Sequence, residues 1–428
     1  NGSRLMPLAR RFCALTLCRP LSSRSMASGP KTLDLFLGHP DPALLPRDAL
    51  ADACVAAAHK FRTGGSEGLP YGSSVAGSER FLDELAAFIS RHTAGEKPAR
   101  ADGLLLTGGV SHGIELLCRV LTVPGDVVVV EAPTYFLVVE IFKSHGLEVL
   151  SVPVDAEGLV VHELERLLDK RTGPPVKMLY TIPTNHNPTG TTLPETRRRQ
   201  LVQLARRHNF TVVADEVYHL LDWHAPGQRP PRMVCFDDAY CQAERGDAQV
   251  AVPAVVVSVN SFTKICAPGL RVGWVEAAPS LVDRIAKLAY LTSGGCVATF
   301  MSEALLHHML TARSADKVLA ALVADLRTRS ETLHYSLVDS GLQPLVKPTG
   351  GYFVWVPLGV DAKALLDKVQ VDGLKFMHGG RCDESKSDDS AQCARLCFAY
   401  HQPEELADAA FRLASATAAT RCERNVSS

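Results

Sequence analysis

The chain has 428 residues, 46% of them hydrophobic and 21% charged, with a formal net charge of −1. That is the composition of a soluble globular protein with length for two or three domains, and its charge gives no case for a nucleic-acid partner or an anionic membrane surface. Its valine runs are too short for a transmembrane helix, and its 12 cysteines, with no CxxC pair, read as reduced thiols.

Residues 1–33 stand apart. They contain five arginines, one lysine and five serines, with no acidic residue before Asp34. This is the pattern of an organelle transit peptide, mitochondrial or plastid; a disordered leader on a cytoplasmic protein is the other reading. From about residue 103 the pattern alternates. "GLLLTGG" is a buried strand closed by a glycine turn, and "VSHGIELLCRVL" has helical spacing. "DVVVVEAP" is again a strand, "TYFLVVEIFKSHG" a helix and "LEVLSVPV" a strand. The helix "HELERLLDK", strand "KMLYTIP", helix "TRRRQLVQLARRHN" and strand "FTVVADEV" follow. Such alternation predicts an α/β fold with a mostly parallel sheet between helices, and a ligand beyond the carboxyl ends of its strands. Beyond Ser280 come long helical patterns and two strands, "PTGGYFVWVPL" and "ARLCFAYH", which predict a smaller α+β domain. The charged segment 381–393 reads as a surface loop.

Polar sequence collects where strands end. "TGGVSHG" (107–113) offers backbone N–H groups at a helix start, an anion site. It is neither a dinucleotide fingerprint, because Val110 replaces the second glycine, nor a P-loop, because no Gly-Lys-Ser/Thr follows. "VNSFTKICAPGLRVGW" (259–274) adds Ser261, Thr263 and Arg271 as further anion donors, with Lys264 beside them. Lys264 is an ordinary surface charge, a phosphate contact, or an amine that forms a Schiff base with an aldehyde cofactor carrying its own phosphate; with the other candidates in this order at strand ends, the last fits best. Pyridoxal phosphate then needs a buried carboxylate for its ring nitrogen, and Asp215 ends a strand. Tyr218 and Asn187 are candidates for the ring hydroxyl, and Tyr135 for stacking on the ring.

The ordered set "TGGVSHGIEL", "EAPTYF", "PTNHNPTG", "ADEVY", "SFTKICAPGLRVGW", "PTGGYFVW" and "RLCFAY" resembles the class I/II aminotransferases of fold type I, over residues 34–415. The likeness is greatest to the branch of 2-aminoadipate, kynurenine and aromatic aminotransferases. It implies a leader (1–33), an N-terminal arm (34–75), a large cofactor-binding domain (76–300) with a seven-stranded sheet, and a small domain (301–428). Lys264 is then the cofactor attachment and proton-moving base, and Asp215 the pyridinium partner. Asn187 and Tyr218 bond the ring hydroxyl, and Tyr135 stacks. Gly109, Val110, Ser111, Ser261 and Arg271 hold the phosphate, with Tyr71 from the neighbouring subunit of a homodimer. Arg395 clamps the substrate α-carboxylate, beside Asn187 and Gly38 of the arm. Arg395 is also the one cation in the apolar strand "RLCFAY". The substrates implied are an L-amino acid and a 2-oxo acid, by default 2-oxoglutarate. No metal is implied, since Cys382, Cys393 and Cys397 have the wrong spacing for one. His39 beside Gly38 and His112 in the glycine turn depart from the pattern. A lyase or cyclopropane-forming synthase on the same fold shares these motifs. A regulator fused to a DNA-binding head needs an upstream winged helix, of which residues 1–33 show no pattern.

Overall fold

Runs of valine with no polar face build the centre of the molecule. Val127–Val130 and Val212–Ala214 are essentially closed to solvent, which requires cover on both faces of the sheet they enter. A computed structural model describes residues 32–63, 74–225, 227–243, 252–294 and 300–427. The leader up to residue 31 and Tyr71 lie outside the described residues. The strands are β1 (Leu33–Asp34), β2 (Leu104–Thr107), β3 (Val127–Ala132), β4 (Glu148–Asp155), β5 (Gly158–Leu159), β6 (Val176–Thr181) and β7 (Thr211–Asp215). They continue with β8 (Val256–Ser261), β9 (Gly273–Ala277), β10 (Phe353–Pro357), β11 (Leu374–Lys375), β12 (Met377–His378) and β13 (Cys393–Cys397).

The large sheet has the order β2-β9-β8-β7-β6-β3-β4-β5. Strands β4, β3, β6, β7 and β8 are parallel, whereas β9 is antiparallel to both β8 and β2. Seven strands match the expectation, and β5 adds a two-residue ribbon antiparallel to β4 at the edge. Alternate residues feed two apolar clusters on opposite faces: Val128, Val213 and Val257 in one, Val127, Val212 and Val256 in the other. The helices Val110–Leu121, Phe136–Ser144, Val161–Lys170 and Glu195–His208 fall where periodicity put them.

Strand direction positions the polar segments. β2, β3, β6, β7 and β8 all end on one edge, so the residues following each of them gather there. Antiparallel β9 begins on that same edge, which returns Arg271 to the residues that follow β8. The chain reverses its progress across the sheet between β3 and β6, the crevice where such folds bind ligands.

A second sheet, antiparallel, has the order β10-β13-β12. Arg395 sits on its central strand, opposite Trp355 and Met377. The N-terminal arm is tied to this region. β1 pairs with β11, Leu35 O accepts from Cys397 N at 2.9 Å, and Asp41 accepts from buried Arg329 Nη2 at 2.9 Å. The segment 381–393, read as a surface loop, proves more ordered than that. It carries a one-turn helix, Asp388–Ala391, and buries Cys382, Asp383 and Ser390. The reason is local: the Asp383 carboxylate gathers the hydroxyls of Ser385 and Ser387.

Close backbone approach at the site edge is testable. A Cβ on Gly273 would stand 2.6 Å from Asn260 O and 2.8 Å from Gly109 Cα, and neither can rotate away. Gly273→Ala should lower unfolding free energy by about 1–3 kcal/mol in urea titrations. Gly269→Ala, with nothing within 4 Å, should stay within about 0.5 kcal/mol of the parent.

Candidate active site

Lys264 follows β8 by three residues, and its side chain turns inward. Nζ donates to Gly38 O at 2.6 Å and lies 5.3 Å from the centre of the Tyr352 ring, whose hydroxyl donates to Lys264 O at 3.0 Å. Burial is the main force on the ammonium group, pushing it down to about 8; Arg395 adds to that push, while Cys397 and Asp215 oppose it. Asp215, the last residue of β7, is buried too. Burial lifts its carboxyl to about 6, against the Tyr180 hydroxyl (2.8 Å to Oδ2), the Val217 N–H (3.3 Å to Oδ1) and the Lys264 charge.

The glycine turn and the Lys264 loop meet beside this pair. Gly109, with φ 104°, caps the helix Val110–Leu121, and no side chain caps that helix start. Among the described residues no side chain engages the first-turn N–H groups of Val110 and exposed Ser111. Arg271 Nη2 donates to Gly108 O at 2.6 Å, and its Nη1 lies 3.4 Å from Thr263 Oγ1. The Ser261 hydroxyl lies 2.7 Å from that of Thr263 and 3.0 Å from Val272 O. His112 acts on the turn itself, its Nδ1 accepting from Gly108 N at 3.3 Å.

On the other side, Arg395 Nη1 donates to Asn187 Oδ1 at 3.1 Å and Nη2 to Phe36 O at 2.6 Å, with the guanidinium 4.2 Å from the Phe353 ring centre. Tyr218 packs its ring against Tyr352 and Phe353, and burial raises its phenol well above the ordinary value. Tyr135, half-buried just before the helix Phe136–Ser144, has its phenol raised by burial and then by the Asp215 charge. His39 is exposed, and burial and then Lys264 push its imidazole down. Sequence reasoning missed four participants. Tyr180 holds Asp215, Tyr352 frames Lys264, Phe36 takes Arg395 through its carbonyl, and Cys397 lies in the electrostatic field of Lys264. Tyr180 alone had a signal, its place near the end of a strand beside β7.

These residues fit pyridoxal phosphate. The Asp215 carboxylate is buried, and among the described residues Oδ1 is engaged by one long N–H contact. Arg395 Nε is buried without a partner among the described residues. Gly109 and Gly273 approach each other too closely for a Cβ, keeping the turn's backbone open to a phosphate.

Comparison with known proteins agrees. The family model "Aminotransferase class I and II" matches residues 46–413. An aromatic-amino-acid aminotransferase of Thermococcus litoralis is 31% identical over 73% of this chain and 71% of its own length. A 2-aminoadipate transaminase of Thermus thermophilus is 28% identical over 90% of each chain. A kynurenine aminotransferase of Pyrococcus horikoshii, solved in complex with PMP, superposes with a TM-score of 0.78 at 25% identity, over 91% of each chain.

The lowered Lys264 amine predicts a labelling profile. In competitive acetylation of the cofactor-free protein, read by peptide mass spectrometry, modification of Lys264 should rise with pH and level off above about 8. Surface lysines should keep rising to about 10.4. A Lys264 profile matching theirs would contradict the buried-amine account.

Proposed function

The chain belongs to the class I and II aminotransferases, a pyridoxal-phosphate-dependent transferase of amino groups, and we propose that Lys264 is its base and 2-oxoglutarate its acceptor. The observation that carries the first part is the buried Lys264 amine, held near 8 beside the Asp215 carboxylate. The second part is supported by the relative named for 2-aminoadipate, a dicarboxylic amino acid.

When bound, pyridoxal phosphate supplies an aldehyde that takes up the amino group and a protonated ring that holds the electron pair released at the substrate Cα. Everything else falls to the chain. Arg395 binds the α-carboxylate as a forked pair, its position fixed by Asn187 and Phe36 O. The neutral Lys264 amine takes the Cα proton and later returns one, and a base poised near the working pH suits both directions. Asp215, ionised, keeps the ring nitrogen protonated, with Tyr180 holding the other carboxylate oxygen. Asn187 and Tyr218 bond the ring hydroxyl and Tyr135 covers the ring face. The N–H groups of Val110 and Ser111, beside Gly109, take the phosphate with Ser261 and Arg271. Gly38 closes the pocket from the arm. We also propose that the enzyme works as a homodimer in which Tyr71 reaches the partner's phosphate site. The domain division drawn from the sequence, and a leader addressing a mitochondrion or plastid, belong to the same reading.

The test follows the visible band of the holoenzyme. A suitable L-amino acid added alone should bleach it, and 2-oxoglutarate should restore it. Restoration by pyruvate and not by 2-oxoglutarate would overturn the acceptor. Lys264→Ala should cut the rate of bleaching by about 10²–10⁴-fold; bleaching at the parent rate would remove Lys264 from its role.

A further inference from the structure

The start of the 381–393 segment puts a second arginine at the mouth of this site. Arg381 ends a short turn, Gly379–Arg381, and its guanidinium lies 4.6 Å from the Phe136 ring centre and 5.5 Å from that of Phe36. Both neighbours belong to the site already described. Phe136 follows Tyr135 directly, and Phe36 offers its carbonyl to Arg395 while its ring faces Arg381. The next residue, Cys382, is tied to the Tyr135 loop through Thr134 N, which donates to Cys382 O at 2.7 Å. Burial pushes the Cys382 thiol up to about 11, while the charges of Arg395 and Arg381 both draw it down, so one buried sulfur feels both guanidinium groups.

The two rings attract the cation through their π faces and offer its N–H groups no oxygen or nitrogen acceptor. No hydrogen bond or ion pair among the described residues engages the Arg381 guanidinium. The acids beside it in sequence are committed elsewhere: Asp383 to Ser385 and Ser387, and Glu384 to Lys143 at 2.7 Å. An exposed arginine set beside two phenyl rings, with no hydrogen-bond or ion-pair partner for its N–H donors among the described residues, is arranged to receive a carboxylate.

We propose that Arg381 is the specificity-determining cation for the distal carboxylate of a dicarboxylic substrate whose α-carboxylate sits on Arg395. This rests on the reading of Arg395 as the α-carboxylate clamp. The apolar floor of Phe36 and Phe136 carries the methylenes between the two carboxylates. It also explains why the segment is pinned by Asp383 and by the Lys143–Glu384 ion pair, since a freely moving arginine would lose geometric selectivity.

The experiment is calorimetric binding of two non-reacting ligands to the holoenzyme: glutarate, with two carboxylates, and pentanoate, of equal length with one. The parent should bind glutarate about tenfold or more tightly than pentanoate. Arg381→Gln should erase that preference and leave pentanoate within about twofold of the parent. Arg381→Lys, which keeps the charge and loses the fork, should retain part of the preference. A glutarate preference that survives Arg381→Gln overturns the proposal, and so does equal weakening of both ligands, the mark of a merely structural role. Arg395→Gln separates the two readings, because it should weaken both ligands; if both bind it normally, the Arg395 clamp fails, and with it the α-carboxylate end of this proposal.

Discussion

Burying a carboxylate and an amine together at the end of a hydrophobic sheet is the constraint around which this site is organised. The Asp215 carboxyl is raised in the folded chain from an ordinary 3.8 to about 6, chiefly by burial. A raised carboxyl favours its protonated form in the folded state, so folded stability falls as pH climbs from about 4 to about 6. Above that the ionised group costs on the order of 3 kcal/mol. Tyr180 and the Val217 N–H offset only part of it. Lys264 has the mirror-image problem, its ammonium form disfavoured by burial down to about 8. In the proposed roles a cationic ring nitrogen meets the carboxylate and a covalent attachment removes the lone ammonium, so the cofactor relieves both penalties.

The sheet makes that burial possible. β7 and β8 are parallel neighbours in register, with Asp215 opposite Val259, so the acid and the lysine loop leave the same edge. The antiparallel step to β9 brings Arg271 back to the Ser261–Thr263 hydroxyls without a long crossover. A few residues of the N-terminal arm complete the other wall, as Phe36 O meets Arg395 and Gly38 O meets Lys264. The part of the arm that reaches the site, residues 36–39, has no regular secondary structure of its own. The pairing of β1 with β11 and the buried Asp41–Arg329 contact hold it, so these two contacts of the candidate site depend on anchors in the two-stranded β1–β11 ribbon and the long helix Ser314–Asp339.

The elements were legible because valine runs and helical spacing repeat with periods that few other folds produce. Lys264, Asp215 and Arg395 were legible because each is a charge set in an apolar segment. Tyr352 was not, since it reaches Lys264 across 88 residues of chain through a contact that only the tertiary packing of the segment before β10 creates. Phe36 acts through a backbone carbonyl, which no side-chain pattern announces. The 381–393 segment has no periodicity, so its order, which comes from one aspartate collecting serine hydroxyls, was hidden. The choice between amino transfer and elimination was also invisible in shared motifs, and the relatives' activities decide it for amino transfer.

The account stands most directly on where the cofactor attaches. Purified holoenzyme treated with borohydride and digested should give a single pyridoxyl-modified peptide, the one containing Lys264, identified by mass spectrometry. Modification of any other lysine in its place, or of none, would contradict the account.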